Sequence, residues 1–493
     1  MSDTAENQVN APVQRYQIVG RILGPTIFVL MLVSDQWQTA MSVEAWRAAA
    51  IGLWMAVWWA TEAVPVPVTA LLPIVVFDPL GIASIRDAAA PYAHPTIYLF
   101  LGGFILALAL ERWNLHRRIA LSILDKTGTD GRRLIGGFML VCALLSMWMT
   151  NTSTTMMLLP IVLSIVAVIR DNVTDLSDKD RENFQIAMLL GLAYSASIGG
   201  LATLIGTPPN ALLAGFMAEN YELELSFARW MLVGVPVSAV MLPIAWFVLT
   251  RYLYPVNVPA SQAVDDHLRK LREQLGPITT PERRVAIIFV TVVASWMFRK
   301  PVTEWLGISG VSDAGIVMTA ALLLFLLPSG KKSSAQLMTW QDMARLPWGV
   351  LILFGGGLSL AMAVSDSGLA LWLGQQLAPL NAWGTAVLVV ASVALVIFLT
   401  ELTSNLATTA TLLPVMGAIA IQAGLPPMVL VVPVTIAASC AFMLPVATPP
   451  NAIVFSTGKL SIPQMVKAGI VLNIIGIIIV SLAALNLAPI LIN

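Results

Sequence analysis

The chain has 493 residues, 58% of them hydrophobic and only 11% charged, with 27 basic residues balancing 27 acidic ones. That composition excludes a water-soluble globule, and zero net charge gives no argument for nucleic acid or an acidic partner. The only cysteines, Cys142 and Cys440, lie in apolar runs, which argues against a disulfide framework or a cysteine metal site.

Met1 to Tyr16 is polar and lacks the charged, apolar and small-residue succession of a signal peptide, so residues 1–17 read as a cytoplasmic tail. Apolar runs suited to crossing a hydrocarbon core of roughly 30 Å as helices then follow at 18–34, 46–60, 66–83 and 96–111. Residues 134–168 break this pattern. They are too long for one helix, too short for two comfortable crossings, and interrupted by a polar cluster, which predicts a re-entrant hairpin. Further spans are expected at 185–217 and 230–250, completing a first half over 18–251. A basic segment at 252–284 reads as a cytoplasmic linker. The second half, 285–493, has spans at 285–298, 312–328 and 349–370, a second interrupted stretch at 383–422, and spans at 427–456 and 466–491. The fold expected is an all-α polytopic membrane protein with about eleven transmembrane helices and two re-entrant hairpins in inverted repeats.

If the N-terminus is inside and both hairpins return to the side they entered from, 22 of the 27 Lys and Arg face the cytoplasm. This satisfies the positive-inside bias and puts the C-terminus outside. The first hairpin then opens inward and the second outward.

Three motifs recur in the same order. Leu99 to Phe104 pairs with Ile352 to Gly357, Asn151 to Pro160 with Asn405 to Pro414, and Gly206-Thr207-Pro208-Pro209-Asn210 with Ala447-Thr448-Pro449-Pro450-Asn451. The hairpin tips read Ser146-Met147-Trp148-Met149-Thr150-Asn151-Thr152-Ser153 and Thr400-Glu401-Leu402-Thr403-Ser404-Asn405-Leu406-Ala407. A helix broken inside a membrane frees carbonyls for a hard cation and amides for an anion, and short Asn, Ser and Thr side chains add oxygens and donors. A single hydroxyl in such a helix more often bonds its own backbone, and a lone proline pair more often kinks a helix. Repetition at equivalent positions of two halves turns both readings toward a transport site.

These paired tips and Thr-Pro-Pro-Asn breaks resemble the divalent anion/sodium symporter family, over nearly the whole chain. The resemblance implies a homodimer in the bacterial inner membrane. Each protomer would carry a scaffold domain, a transport domain that moves as an elevator, and two Na+ sites. One sodium site would use Ser146, Thr150, Asn151 and the Gly199 carbonyl; the other would use Thr400, Thr403, Asn405 and the Ala447 carbonyl. The cargo, a dicarboxylate such as succinate, malate or fumarate, would meet Thr150, Asn151, Thr152, Ser404, Asn405 and Leu406, with Thr207, Pro208, Thr448 and Pro449 in the flanking breaks. The sequence departs from the family pattern at Thr150, usually Ser, and at Leu406, typically Thr in bacterial dicarboxylate carriers. The second change removes a donor and leaves sulfate, a tricarboxylate or an amino-sulfonate as alternatives; sodium-independent exchange is a further reading.

Glu401, acidic at membrane depth, either supports the second cation site from behind or bonds neighbouring amides. Glu62 and Glu111 read as interfacial, Trp54, Trp58 and Trp59 as anchoring or packing, and His94, His116 and His267 lack metal-ligand spacing. The sequence offers neither a nucleophile with its base nor a phosphate-binding glycine loop, which argues against an enzyme or a primary pump. Proline-broken helices in paired halves favour alternating access over a channel.

Overall fold

The computed structural model of the protein describes residues 14–173, 176–330, 335–377 and 384–487. Most of the expected N-terminal tail, residue 383 of the second hairpin and the end of the last span lie outside them. Among the described residues every regular element is helical, and the β structure is one bridge between Pro328 and Gln336.

Helices α1 (Arg15–Val33) and α2 (Val43–Thr61) pack on each other, and Ser42 caps α2 by accepting the Ala45 amide. The span expected at 66–83 is corrected. Two short helices, α3 (Val66–Thr69) and α4 (Leu72–Val76), stand there instead. Pro65, Pro67 and Pro73 suit helix starts and lack the amides that would carry one helix through. After α5 (Ile85–Ala89) come α6 (Pro95–Arg112) and the amphipathic α7 (Leu115–Thr127). The first interrupted stretch forms α8 (Gly131–Ser146) and α9 (Asn151–Asn172). Next are α10 (Asp178–Gly200), α11 (Pro208–Tyr221) and α12 (Phe227–Phe247), which runs on as a wider π turn over Val248–Leu253.

The linker contains α13 (Gln262–Glu273), and α14 (Thr280–Leu306) starts before the linker's expected end at 284 because Thr279 and Glu282 form a capping box. Helix α15 (Asp313–Leu326) follows. The second half continues with α16 (Trp348–Asp366), α17 (Leu369–Leu377), α18 (Thr385–Thr400) and α19 (Asn405–Gln422). It ends with α20 (Met428–Ala438), α21 (Pro449–Phe455) and α22 (Ile462–Leu487). The elements from α6 to α12 thus have partners in the same order from α16 to α22.

Eight helical stretches of the described residues are long and apolar enough to cross a membrane, α9 and α19 among them. By length and composition the second arm of each interrupted stretch could cross, although only α9 runs past its expected end; α19 stops at Gln422, the end expected of the second stretch. In α9 the helix runs beyond the apolar run through Arg170, Asp171 and Asn172.

The paired glycine motifs lock the halves together. An added Cβ at Gly102 of α6 would lie 2.6 Å from Val317 Cγ1 on α15. At Gly356 of α16 it would lie 2.2 Å from the Ala70 carbonyl oxygen, between α3 and α4. Each half's motif therefore lies directly against a segment of the other half, as small residues permit in helix packing. The same exchange recurs deeper in: α9 packs on α21, and α19 packs on α11.

Candidate functional site

Each tip is a short non-helical step between two helices, built by the same hydrogen bonds. Ser146, the last residue of α8, donates its hydroxyl to Asn151 Oδ1 at 2.6 Å; Thr400, the last of α18, donates to Asn405 Oδ1 at 2.8 Å. One turn on, Thr155 and Thr409 return their hydroxyls to the carbonyls of Asn151 and Asn405 at 2.8 and 2.7 Å. The two asparagines are thus held by a hydroxyl before and a hydroxyl after, with the first turns of α9 and α19 beginning at them. Ser146 and Thr400 are fully buried.

The tips differ at the cap. Thr150 accepts the Ser153 amide at 3.1 Å and donates to the Ser153 hydroxyl at 3.0 Å. Ser404 occupies the same position for α19 without a side-chain cap bond, and Ala407 offers no hydroxyl where Ser153 does. Thr403 is instead tied to the Leu399 carbonyl at 3.0 Å and to the Thr408 hydroxyl.

Beyond each tip lies an unwound segment, 201–207 between α10 and α11 and 439–448 between α20 and α21. Gly199 and Gly200 bring the first segment onto the first tip: a Cβ at Gly199 would sit 2.3 Å from the Ala143 carbonyl oxygen, and one at Gly200 2.6 Å from Asn151 Oδ1. In the second half Thr400 shares its hydroxyl hydrogen between Asn405 Oδ1 and the carbonyl of Ala438, the last residue of α20, at 2.8 Å. The two unwound segments themselves meet where Thr207 and Ser439 share a hydroxyl contact at 3.4 Å.

The residue after Ser146 or Thr400 joins tip to break in both halves and is the acceptor each time, through a backbone carbonyl in one and a side-chain carboxylate in the other. In the first half the Met147 carbonyl accepts the Thr203 hydroxyl. In the second, the equivalent Glu401 uses its carboxylate as the acceptor. It takes the amides of Phe442 at 2.8 Å, Met443 at 2.9 and 3.1 Å and Leu444 at 3.0 Å, together with Asn473 Nδ2 at 2.8 Å. Glu401 is only 3% exposed and bonds neighbouring amides, one of the two roles expected for it. A carboxylate this deep is tolerable because both oxygens are saturated with donors.

The first tip also rests on an aromatic stack. Trp148 stacks on Phe227 at a centroid distance of 5.9 Å and meets the edge of Phe289 at 5.2 Å; Phe227 stacks on Trp296 at 4.1 Å. Behind it a cavity of about 130 Å³ is lined by Leu110, His116, Leu145, Trp148, Met149 and Phe289. The second tip has Leu402 at the equivalent position, 69% exposed.

The other expected residues fall as follows. Thr152 is half-buried in the first turn of α9, whereas Leu406 is 4% exposed and packs into the core. Thr207 and Thr448 are the N-caps of α11 and α21, and Pro208 and Pro449 their first residues. The Gly199 carbonyl already accepts the Ala202 amide at 3.1 Å. Gly199, in the last turn of α10, and Ala447, inside the second break, occupy unlike places: the counterpart of Ala447 is Gly206, and that of Gly199 is Cys440. Among the described residues no cluster of His, Cys, Asp and Glu is arranged to hold a metal.

Sequence reasoning passed over Thr203, Ser439 and Asn473, whose partners are distant in sequence. It quoted Asn210 and Asn451 as motif ends without giving them a role.

Comparison with known proteins agrees with this architecture. Residues 17–493 match the family described as the sodium:sulfate symporter transmembrane region. A Staphylococcus saprophyticus protein named sodium-dependent dicarboxylate transporter SdcS is 40% identical over 476 residues, covering 96% of this chain and 92% of the relative. The protein of that name from Staphylococcus aureus is 39% identical over 493 residues, covering 99% and 94%. Among solved structures, Neisseria gonorrhoeae MtrF, described with a class of antimetabolite efflux pumps, superposes with a TM-score of 0.58 at 12% identity over 94% of both chains, a likeness of fold. The chain is a multi-pass membrane protein that belongs to the sodium:sulfate symporter family, a family of transporters rather than enzymes, as the paired tips and breaks indicate.

Proposed function

We propose that the protein is a sodium-coupled symporter of C4-dicarboxylates such as succinate, malate or fumarate, working by alternating access with an elevator-like movement of the tip-bearing helices. The observation that carries this reading is the duplicated tip, in which Ser146 and Asn151, and again Thr400 and Asn405, gather neutral oxygens beside a helix N-terminus. Such oxygens suit Na+, and the amides of the following turn suit a carboxylate. The names of the Staphylococcus relatives support sodium and dicarboxylate as the pair carried.

In this reading one Na+ is held by Ser146, Thr150, Asn151 and the Gly199 carbonyl, and a second by Thr400, Thr403, Asn405 and the Ala447 carbonyl. The cargo carboxylates lie against Thr150, Asn151 and Thr152 on one side and Ser404 and Asn405 on the other. No Lys or Arg lies in either tip, so bound cations supply the positive charge and anion affinity depends on sodium. The protein works as a homodimer in the plasma membrane, with its N-terminus in the cytoplasm and its C-terminus outside.

A second anion class is favoured by one observation: Leu406 is buried and gives no donor to the second tip. Uptake of labelled succinate, citrate and sulfate into proteoliposomes, with and without an inward sodium gradient, tests both readings. Sodium-driven succinate uptake that is lost in Asn151→Ala and Asn405→Ala is expected. Uptake of sulfate or citrate alone would move the substrate class, and succinate exchange indifferent to sodium would remove symport.

A further inference from the structure

The Thr-Pro-Pro-Asn motifs end in asparagines that are wholly buried and make the same contacts in both halves. Asn210 Nδ2 donates to the carbonyls of Gly200 at 3.2 Å and Thr203 at 2.8 Å, and also to Leu201 at 3.3 Å. Asn451 Nδ2 donates to the carbonyls of Ala441 at 3.3 Å and Leu444 at 3.0 Å. Counted back from each asparagine, the shared acceptors are the tenth and the seventh residues. The seventh carbonyl carries a second load in both halves: Thr203 also accepts the Gly206 amide at 3.4 Å, and Leu444 also accepts the Ala447 amide at 3.2 Å.

We infer that Asn210 and Asn451 are positioning residues for the two cation sites, an inference that rests on the symport reading above. An unwound stretch inside a membrane has carbonyls that neither helix nor water satisfies, and each must find a donor. One side-chain amide with two hydrogens answers several of them at once and fixes the peptide planes between them. In the first half this presses Gly200 against Asn151 Oδ1. In the second it holds Leu444, whose carbonyl orients Ala447 and whose amide is bonded to Glu401 beside Thr400.

Neither asparagine acts as a mere spacer. The motif's prolines at positions 208, 209, 449 and 450 have no amide hydrogen, so the backbone at the start of α11 and α21 cannot supply these donors itself. Oδ1 of each asparagine has no hydrogen-bond partner among the described residues, so it is the donor end that the fold uses. Aspartate, of nearly the same shape, would turn a carboxylate oxygen toward those carbonyls and cannot substitute.

The test is sodium dependence in proteoliposomes of the full chain. For Asn210→Ala and Asn451→Ala, the sodium concentration giving half-maximal succinate uptake is expected to rise at least fivefold. The succinate half-saturation, measured at saturating sodium, should stay within twofold of wild type. Asn→Ser, which keeps a shorter donor, should fall between alanine and wild type, and provides the same readout where an alanine variant does not fold. A merely structural role would lower maximal uptake and protein yield with the sodium dependence unmoved; active variants whose half-saturating sodium stays within twofold of wild type would overturn the inference. Wild-type uptake indifferent to sodium would instead remove the symport reading itself, so the two failures are told apart by the wild-type control.

Discussion

Glu401→Gln isolates the joint between the second tip and its break. The substitution keeps shape and one acceptor oxygen but replaces the other with an NH2 group. In the wild type, Oε1 takes Phe442, Met443 and Asn473, and Oε2 takes Met443 and Leu444. Whichever way the amide turns, its NH2 faces at least one backbone N–H that pointed at an oxygen, and the remaining bonds lose their charge assistance. An orphaned buried donor costs about 1–3 kcal/mol, and bonds to charged acceptors about 1.5–3 kcal/mol against 0.5–1.5 for neutral ones, so the loss is on the order of 2–5 kcal/mol. With an unfolding entropy near 2.1 cal/mol/K per residue, a chain of this size would lose about 2–5 °C in thermal midpoint. The assay is a thermal unfolding scan of detergent-purified protein at one fixed scan rate, beside Leu402→Ala as an exposed neighbour expected to change little. A Glu401→Gln midpoint within 1 °C of wild type would show that segment 442–444 does not depend on the carboxylate, and the reasoning would fall.

Three further outcomes follow from contacts elsewhere. Gly199→Ala would drive a Cβ to 2.3 Å from a backbone oxygen of α8, forcing α8 and α10 apart; overpacking of about 1–3 kcal/mol and at least a tenfold loss of succinate uptake at unchanged membrane yield are expected. Trp148→Ala removes a half-buried ring stacked on Phe227 and should cost less than the about 3–5 kcal/mol of a fully buried aromatic, still seen as a lower thermal midpoint, while Leu402→Ala at the equivalent place should change little. Arg118→Ala leaves the buried Glu282 carboxylate without its guanidinium and frees the carbonyls of Leu275, Gly276 and Pro277. Breaking a fully buried pair from one side costs about 3–5 kcal/mol; with Arg118 part-exposed the loss should be smaller, seen as a lower thermal midpoint, with Arg118→Ala/Glu282→Gln recovering part of it.

The sequence made the breaks legible and left their partners obscure. Polar clusters at 146–155 and 400–409 and the two Thr-Pro-Pro-Asn motifs stand out because they interrupt apolar runs, and the structure starts α9, α19, α11 and α21 at those places. Hydropathy overran the proline-rich 66–76 segment, because its composition is that of a span while its prolines are those of helix starts. It also missed α7 and α13, whose apolar residues are confined to one face. Their Leu121, Leu124, Val264 and Leu268 are buried while Lys126 and Lys270 are exposed. Tertiary partners carry no periodic signal at all. Glu401 and the amides it serves are about forty residues apart, and Trp148 meets Phe289 from a different half.

That the acceptor is a carbonyl in one half and a carboxylate in the other follows from what each break leaves unsatisfied. In and just before the first break, carbonyls find abundant donors: Trp230 Nε1 reaches Leu201, the Ser238 hydroxyl reaches Ile198, and Asn210 reaches Gly200 and Thr203 and Leu201 a second time. Thr203 can then spend its hydroxyl on Met147. In the second break three consecutive amides point the same way, toward the tip, and three aligned N–H groups form an anion cradle. Left empty at membrane depth it would be costly, and open it would compete for the anionic cargo. A carboxylate from the tip's own chain fills it permanently. The duplicated architecture is therefore not duplicated in this acceptor. Whatever binds at the second tip sits beside a side-chain carboxylate, whereas at the first tip the same step of the chain offers a backbone carbonyl.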